Sequence, residues 1–228
     1  MLSWISDDDL LSICKDLITD MHIKTSNELD FKNIVDPFSA LFDIVINDIS
    51  FDHWIKNEVI RQKQKTLQNK IGEFHQKILG KVAGWEDLGT GNNIDLVSKE
   101  KSIIAEIKNK HNTVKGSNLI DEFNKLAYAI NYGYRGYTAY FVTILRKEKM
   151  NKPFVPSDSK TKTKPTENPN IRIIDGASFY EIATGSRTAL SDLYNHLPNI
   201  LSDFANIKAE DVITNNWFKR LAVNLPWG

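Results

Sequence analysis

The stretch Asn92 to Lys110, NNIDLVSKEKSIIAEIKNK, decides the fold. Alternation in IDLVS and IIAEIK predicts two half-buried β-strands, and the polar run KEKS, Lys99 to Ser102, predicts the turn between them. Pairing Val97 with Ile104 across that turn sets Asp95 opposite Glu106, and the two-residue period puts Lys108 on the same face. Opposed residues have Cβ atoms about 4.5 to 5.5 Å apart, where like charges destabilise a hairpin unless something positive lies between them. A hard divalent cation meets that need: it takes carboxylate oxygens and keeps several waters. The same three charges also suit the wet face of an antiparallel hairpin, with Lys108 partly neutralising Glu106. The rest of the chain weighs between the two.

With 228 residues, 41% hydrophobic and 25% charged, the chain reads as a soluble globular protein with enough length for a sizeable core. Its net charge of zero hides an asymmetry: residues 1–60 hold 12 acids and 4 bases, whereas residues 61–228 hold 17 acids and 25 bases. The base-rich portion points to a polyanionic partner, and the acidic portion to a cover, a dimer element or solvated helices. Cys14, the single cysteine, falls in the apolar helical pattern LLSICKDLI and reads as a buried free thiol in a reducing compartment. No apolar run approaches the roughly 18 residues of a membrane span, and MLSWISDDDL lacks the basic flank and apolar core of a signal peptide. The expectation is a cytoplasmic protein with no membrane partner.

Helix signals open the chain, with Ser6 as N-cap before three acids and Asp36-Pro37 before a second apolar run. Ile60, Leu67, Ile71, Phe74 and Ile78 keep helical spacing in a long amphipathic helix over 59–81. GWEDLGTGNN then forms a glycine turn rather than a dinucleotide fingerprint, since no helix follows it. After the hairpin, Leu119, Phe123, Leu126 and Ile130 mark another helix, YTAYFVTIL a buried central strand, and IRIID a later strand. Leu190, Leu193, Leu197, Leu201 and Phe204 repeat on one face of a C-terminal helix that Pro198 is placed to kink. Two parts follow: an N-terminal helical part over 1–58, and a core over 59–228 carrying a basic loop at 147–170.

This order, with Asp95, Glu106 and Lys108 on the first two strands, resembles the PD-(D/E)XK nuclease superfamily, with Ile94 in place of the usual proline before the aspartate. The longer texture GWEDLGTGNNID, AEIKNKHNT and RIIDGASFYEIATG is similar to type II restriction endonucleases of the group that cuts GGNCC-like sites, over roughly residues 70–197. That resemblance implies an α/β fold with a central mixed sheet flanked by helices. It implies Mg²⁺-dependent hydrolysis of double-stranded DNA at a short palindrome, leaving 5′-phosphates. Asp95 and Glu106 would ligate the metal, and Lys108 would position the attacking water and offset developing charge. It also implies a cognate DNA methyltransferase as functional partner, and two-fold cutting favours a homodimer, with the N-terminal helices as its interface.

Glu73, His75 and Gln76, on the long helix, are possible additions to the site. Glu73 lies about 120° from the apolar stripe and reads more simply as a solvated acid, while His75 and Gln76 read as satisfied structural polar groups. The five histidines show no metal-ligand spacing, so zinc is not expected. Lys110, His111 and Asn112, just past the catalytic strand, are candidates for phosphate or base contacts. In the basic loop, Lys160, Lys162 and Lys164 are candidates for the DNA backbone, against the plainer reading of a solvated insertion. Two other functions stay open: a structure-specific repair nuclease of the same superfamily, and a noncatalytic DNA-binding module.

Overall fold

The structure is a computed structural model that describes residues 1–24, 29–30, 35–89, 91–110, 116–158, 161–204, 208–223 and 225. Its centre is a six-stranded mixed sheet, built from β1 (Glu86–Asp87), β2 (Leu96–Ser98), β3 (Ile103–Lys110), β4 (Thr138–Leu145), β5 (Asn151–Pro153) and β6 (Ile171–Asp175). The order across the sheet is β1-β2-β3-β4-β6-β5. β3, β4 and β6 run parallel, and β1, β2 and β5 are antiparallel additions at the edges. The hairpin has the expected register, Val97 opposite Ile104, with residues 99–102 as its turn.

Helices cover both faces. On one side α4 (Gly116–Tyr128) brings Phe123 and Leu126 against Ile104, Ala139 and Phe141, one buried cluster of alternate residues from adjacent strands. On the other, α5 (Gly176–Thr184) packs on the intervening residues, its Phe179 ring 5.8 Å from Tyr140. Because both faces are covered, β3 is buried continuously from Ile103 to Ile107. The expectation of a half-buried hairpin is corrected here: strict alternation reports a change of side-chain chemistry along β3, and parallel strands roofed by crossover helices have no wet side.

The signature RIIDGASFYEIATG has a packing explanation. Asp175, fully buried, caps α5 by accepting the Ser178 N–H at 2.9 Å, and its other oxygen takes the Met150 N–H at 2.7 Å. A Cβ on Gly176 would stand 2.5 Å from Ile144 O, so only glycine lets α5 start this close to β4. Gly185 ends the helix at φ 78°. Beyond it, α6 (Ala189–Leu201) buries Leu190, Leu193 and Ile200, with Pro198 buried inside the helix and Leu201 turned out at 40% exposure. The apolar repeat expected along this helix therefore breaks at its last turn. The basic loop also departs from expectation, since it holds the edge strand β5 and buries Phe154 against Phe141, with ring centroids 4.9 Å apart. A three-residue strand containing proline gives no periodicity to read, and proline is tolerated there because an edge strand leaves one side unpaired.

The described chain forms two compact units, Met1–Cys14 with Gly72–Gly228, and Lys15–Ile71. The break falls inside α1 (Asp7–Lys24) and inside α3 (Phe51–Gly80), the latter starting earlier than its periodicity predicts. The first unit buries Cys14, whose thiol is pushed up to about 11 by burial, which leaves it unreactive. In the second unit α2 (Pro37–Asn47) begins as expected, Asp36 accepting the Phe38 N–H at 2.9 Å with Pro37 in the first turn. Its Phe38, Leu41, Phe42, Val45 and Ile46 are all exposed by more than half. Among the described residues no helix is long and apolar enough to cross a membrane.

Candidate active site

Glu106 and Lys108 stand two residues apart on β3, so both reach the face that α4 covers; α4 itself supplies Glu122 and Lys125, one turn apart. Asp95 precedes β2. Its N–H donates to Ala105 O at 3.1 Å, and its own carbonyl accepts the Leu88 N–H at 2.9 Å. With that carbonyl engaged elsewhere, Asp95 Oδ2 takes the Ile107 N–H at 2.7 Å in its place. The carboxylate thus completes the ladder and is fixed beside Glu106.

Glu106 is 2% exposed and each of its oxygens accepts from an ammonium: Oε1 from Lys108 Nζ and Oε2 from Lys125 Nζ, both at 2.7 Å. Glu122 closes the group, with Oε1 3.2 Å from Lys108 Nζ and Oε2 3.8 Å from Lys125 Nζ. Burial pulls the Lys108 ammonium down, but Glu106 and Glu122 outweigh it, and the net effect holds it above its ordinary value. The Asp95 carboxyl is pushed up to about 6 by burial and then by the charge of Glu106, with the Ile107 N–H, Lys108 and Lys125 pulling the other way. Three carboxyls and two ammoniums thus gather between β3 and α4 around the buried Glu106.

The structure therefore brings Asp95, Glu106 and Lys108 together, as the hairpin register requires. It corrects the surroundings: the face is covered by α4, and Glu106 is interior. Gln76 comes near through its amide, which donates to Asp87 Oδ1 at 2.7 Å and reaches Asp95 O at 3.5 Å. Gly80 permits this, because a Cβ there would lie 2.5 Å from Asp87 Cβ. Glu73 is half-buried on α3, next to Gly72, whose Cβ would stand 4.0 Å from Asn109 N at the end of β3.

His75 belongs elsewhere. Its Nδ1 lies 2.8 Å from the Tyr180 hydroxyl on the α5 side, and burial pushes the ring down to about 4, so it is a neutral structural partner. Lys110 is half-buried at the end of β3, and Lys162 and Lys164 are exposed in the basic loop. His111, Asn112 and Lys160 lie outside the described residues.

Sequence reasoning missed Glu122 and Lys125. Their only trace is the E-x-x-K spacing beside Phe123 and Leu126 in the apolar stripe of α4, which also fits a surface ion pair. It missed Asp87 as well, whose Oδ1 also accepts the Gly89 N–H at 2.8 Å and so shapes the glycine turn.

Among the described residues no group of three histidine, cysteine or acidic side chains is placed to hold a metal ion between them. The donor set nevertheless fits a hard ion that keeps most of its water: two carboxylates, Asp95 and Glu106, side by side. Near them Glu122 Oε2 is buried without a hydrogen-bond partner among the described residues.

The model of the Eco47II restriction endonuclease family matches residues 2–206. That span includes the N-terminal helices, which lie before the stretch that carried the sequence resemblance. The type II restriction enzyme Eco47II of Escherichia coli is 43% identical over 208 residues, covering 88% of this chain and 87% of that protein. The type II restriction enzyme Sau96I of Staphylococcus aureus is 34% identical over 217 residues, covering 91% of this chain and 82% of that protein. No solved structure matches.

Proposed function

Because the chain belongs to the Eco47II restriction endonuclease family, and is a type II site-specific endodeoxyribonuclease, we propose that Asp95, Glu106 and Lys108 are its hydrolytic residues. The carrying observation is their convergence on the α4 face, with Glu106 held at 2.7 Å by two ammoniums and Asp95 raised to about 6 beside it. The core is read as PD-(D/E)XK, on the motif Asp95, Glu106 and Lys108 and on the mixed sheet that carries it. Asp95 and Glu106 would hold Mg²⁺, which when bound supplies positive charge to the scissile phosphate and lowers the pKa of coordinated water.

The chain's own groups do the rest. The Ile107 N–H fixes the Asp95 carboxylate, and β3 holds Glu106 at one depth. The Lys108 ammonium donates to the attacking water and to the phosphate oxygen on which charge accumulates. Attack in line breaks the P–O3′ bond, leaving a 3′-hydroxyl and a 5′-phosphate.

The target is read as a short GGNCC-like palindrome in double-stranded DNA, on the sequence texture described above, with a cognate methyltransferase protecting the host's own sites in the cytoplasm. Lys110, His111 and Asn112, at and just past the end of β3, would contact DNA next to the scissile phosphate. Lys160, Lys162 and Lys164 would follow the backbone. A homodimer is supported by α2. Phe38, Leu41, Phe42, Val45 and Ile46 on that helix are each more than half exposed, apolar surface of the kind that marks protein–protein contacts.

Digestion of an unmethylated phage genome with Mg²⁺ tests this reading: discrete, reproducible fragments with 5′-phosphate ends are expected. Random degradation, or none, would overturn it. Sedimentation of wild type and of Phe42→Asp tests the dimer, with wild type at twice the chain mass and the variant at one chain mass.

A further inference from the structure

Within the proposed site, we infer that Lys125 is a built-in stand-in for the metal ion, and that Glu122 is the acceptor to which it moves when the ion binds Glu106. The inference rests on the site reading above. Glu106 is almost fully buried and both of its oxygens are occupied by ammoniums at 2.7 Å. An ion that ligates this carboxylate must displace one of them.

Lys108 is held on both sides, by Glu106 Oε1 at 2.7 Å and by Glu122 Oε1 at 3.2 Å. Lys125, on α4, is the less tightly held of the two ammoniums. Its second neighbour is Glu122 Oε2, 3.8 Å away, the oxygen that is buried without a hydrogen-bond partner among the described residues. A buried acceptor left unsatisfied is unfavourable, and this one lies within a small side-chain rotation of the ammonium that the ion would release. In the exchange, Glu106 trades an ammonium for the ion and Glu122 gains the hydrogen bond it lacks, so no charge is stranded. Lys125 is thus a positioning residue. It keeps the acid pair neutralised before the ion arrives and gives way without leaving the pocket.

Mn²⁺ titrations of the whole protein, read by the EPR signal of the free ion, test this. Lys125→Met is expected to tighten Mn²⁺ binding, and Glu122→Gln to weaken it, each by roughly two- to fivefold, the range of one partly exposed ion pair. Simple charge effects share those signs, so the double variant decides. Because part of the effect of Glu122 runs through Lys125, Glu122→Gln should change affinity less when added to Lys125→Met than it does in wild type. Additive effects in that cycle would overturn the exchange. Lys125→Gln, with melting curves alongside, covers the case in which Lys125→Met does not fold. Asp95→Ala separates the two ideas: Mn²⁺ binding unaffected by it contradicts the metal site itself, whereas binding lost with an additive cycle contradicts only the exchange. Wild type that binds no Mn²⁺ contradicts both.

Discussion

Two buried polar groups sit on opposite faces of the same sheet and differ in kind. On the α5 side, His75 and Tyr180 form one neutral hydrogen bond of 2.8 Å inside a shell of rings that includes Trp4 and Phe74. On the α4 side, Asp95, Glu106 and Glu122 face Lys108 and Lys125, with more charge than the pocket needs to hold its shape. A neutral satisfied pair stabilises because nothing is left to desolvate further. A cluster of interior ions is weak support for a fold, since apolar residues of equal volume commonly do as well or better. That contrast is what the proposed assignment of chemistry to the α4 side rests on.

Breaking each side should therefore give opposite outcomes, and activity separates them most. Glu106→Gln and Lys108→Met should each lower single-turnover cleavage of unmethylated DNA by about a hundredfold or more, the scale of losing one preorganised electrostatic group. His75→Gln should cut within a few-fold of wild type while losing about 1 to 3 kcal/mol of stability in denaturant titrations, because the Tyr180 hydroxyl loses its fitted partner. A His75 variant with normal stability and no cleavage would reverse the assignment of the two faces.

The pH dependence of stability sharpens the contrast. His75 has a folded-state value of about 4, below its ordinary value, so between about 6.5 and 4 the unfolded chain binds more protons. Through His75, stability then falls as pH drops across that window, by up to about 1.4 kcal/mol per pH unit. His75→Gln should flatten this slope.

Asp95 works the other way. Its folded-state value of about 6 lies above the ordinary carboxylate value, so the folded chain binds more protons between about 4 and 6, and stability through Asp95 falls as pH rises across that window. Without metal, Asp95→Asn should thus be more stable than wild type above pH 6, by on the order of 1 kcal/mol. Melts from pH 4 to 8 of both variants check the two signs together.

The smallest effect concerns the basic loop. Neutralising Lys160, Lys162 and Lys164 should weaken binding to all DNA sequences alike, and reduce the slope of log K against log salt by about 0.9 for every phosphate that the loop no longer neutralises. An unchanged slope would remove the loop from the DNA interface, and a changed sequence preference would give it a role in base reading.

The hairpin was legible because its information is local: Val97, Ile104 and the KEKS turn set the register, and register alone puts Asp95 beside Glu106. The buried strand at 138–145 and the helix ending near Gly80 were legible for the same reason, through length and period. What covered the hairpin was not. Nothing in IIAEIK says whether its charged face meets water or α4, and Glu122 and Lys125 acquire meaning only when a helix some fifteen residues later is laid across β3. The edge strand Asn151–Pro153 is too short to show a period, and the unit Lys15–Ile71 divides two helices at points that leave no mark in their sequence. Local pattern thus located the acids, and tertiary packing decided how they are held.

The central claim is that Asp95 serves chemistry and is not needed for structure. Asp95→Asn keeps the shape and leaves an oxygen to accept the Ile107 N–H, so single-turnover cleavage of a cognate unmethylated duplex with Mg²⁺, run beside a binding titration of the same duplex, tests it most directly. The expected result is DNA bound within a few-fold of wild-type affinity and left uncut. Cutting at a near wild-type rate, or loss of folding with loss of binding, would contradict the account.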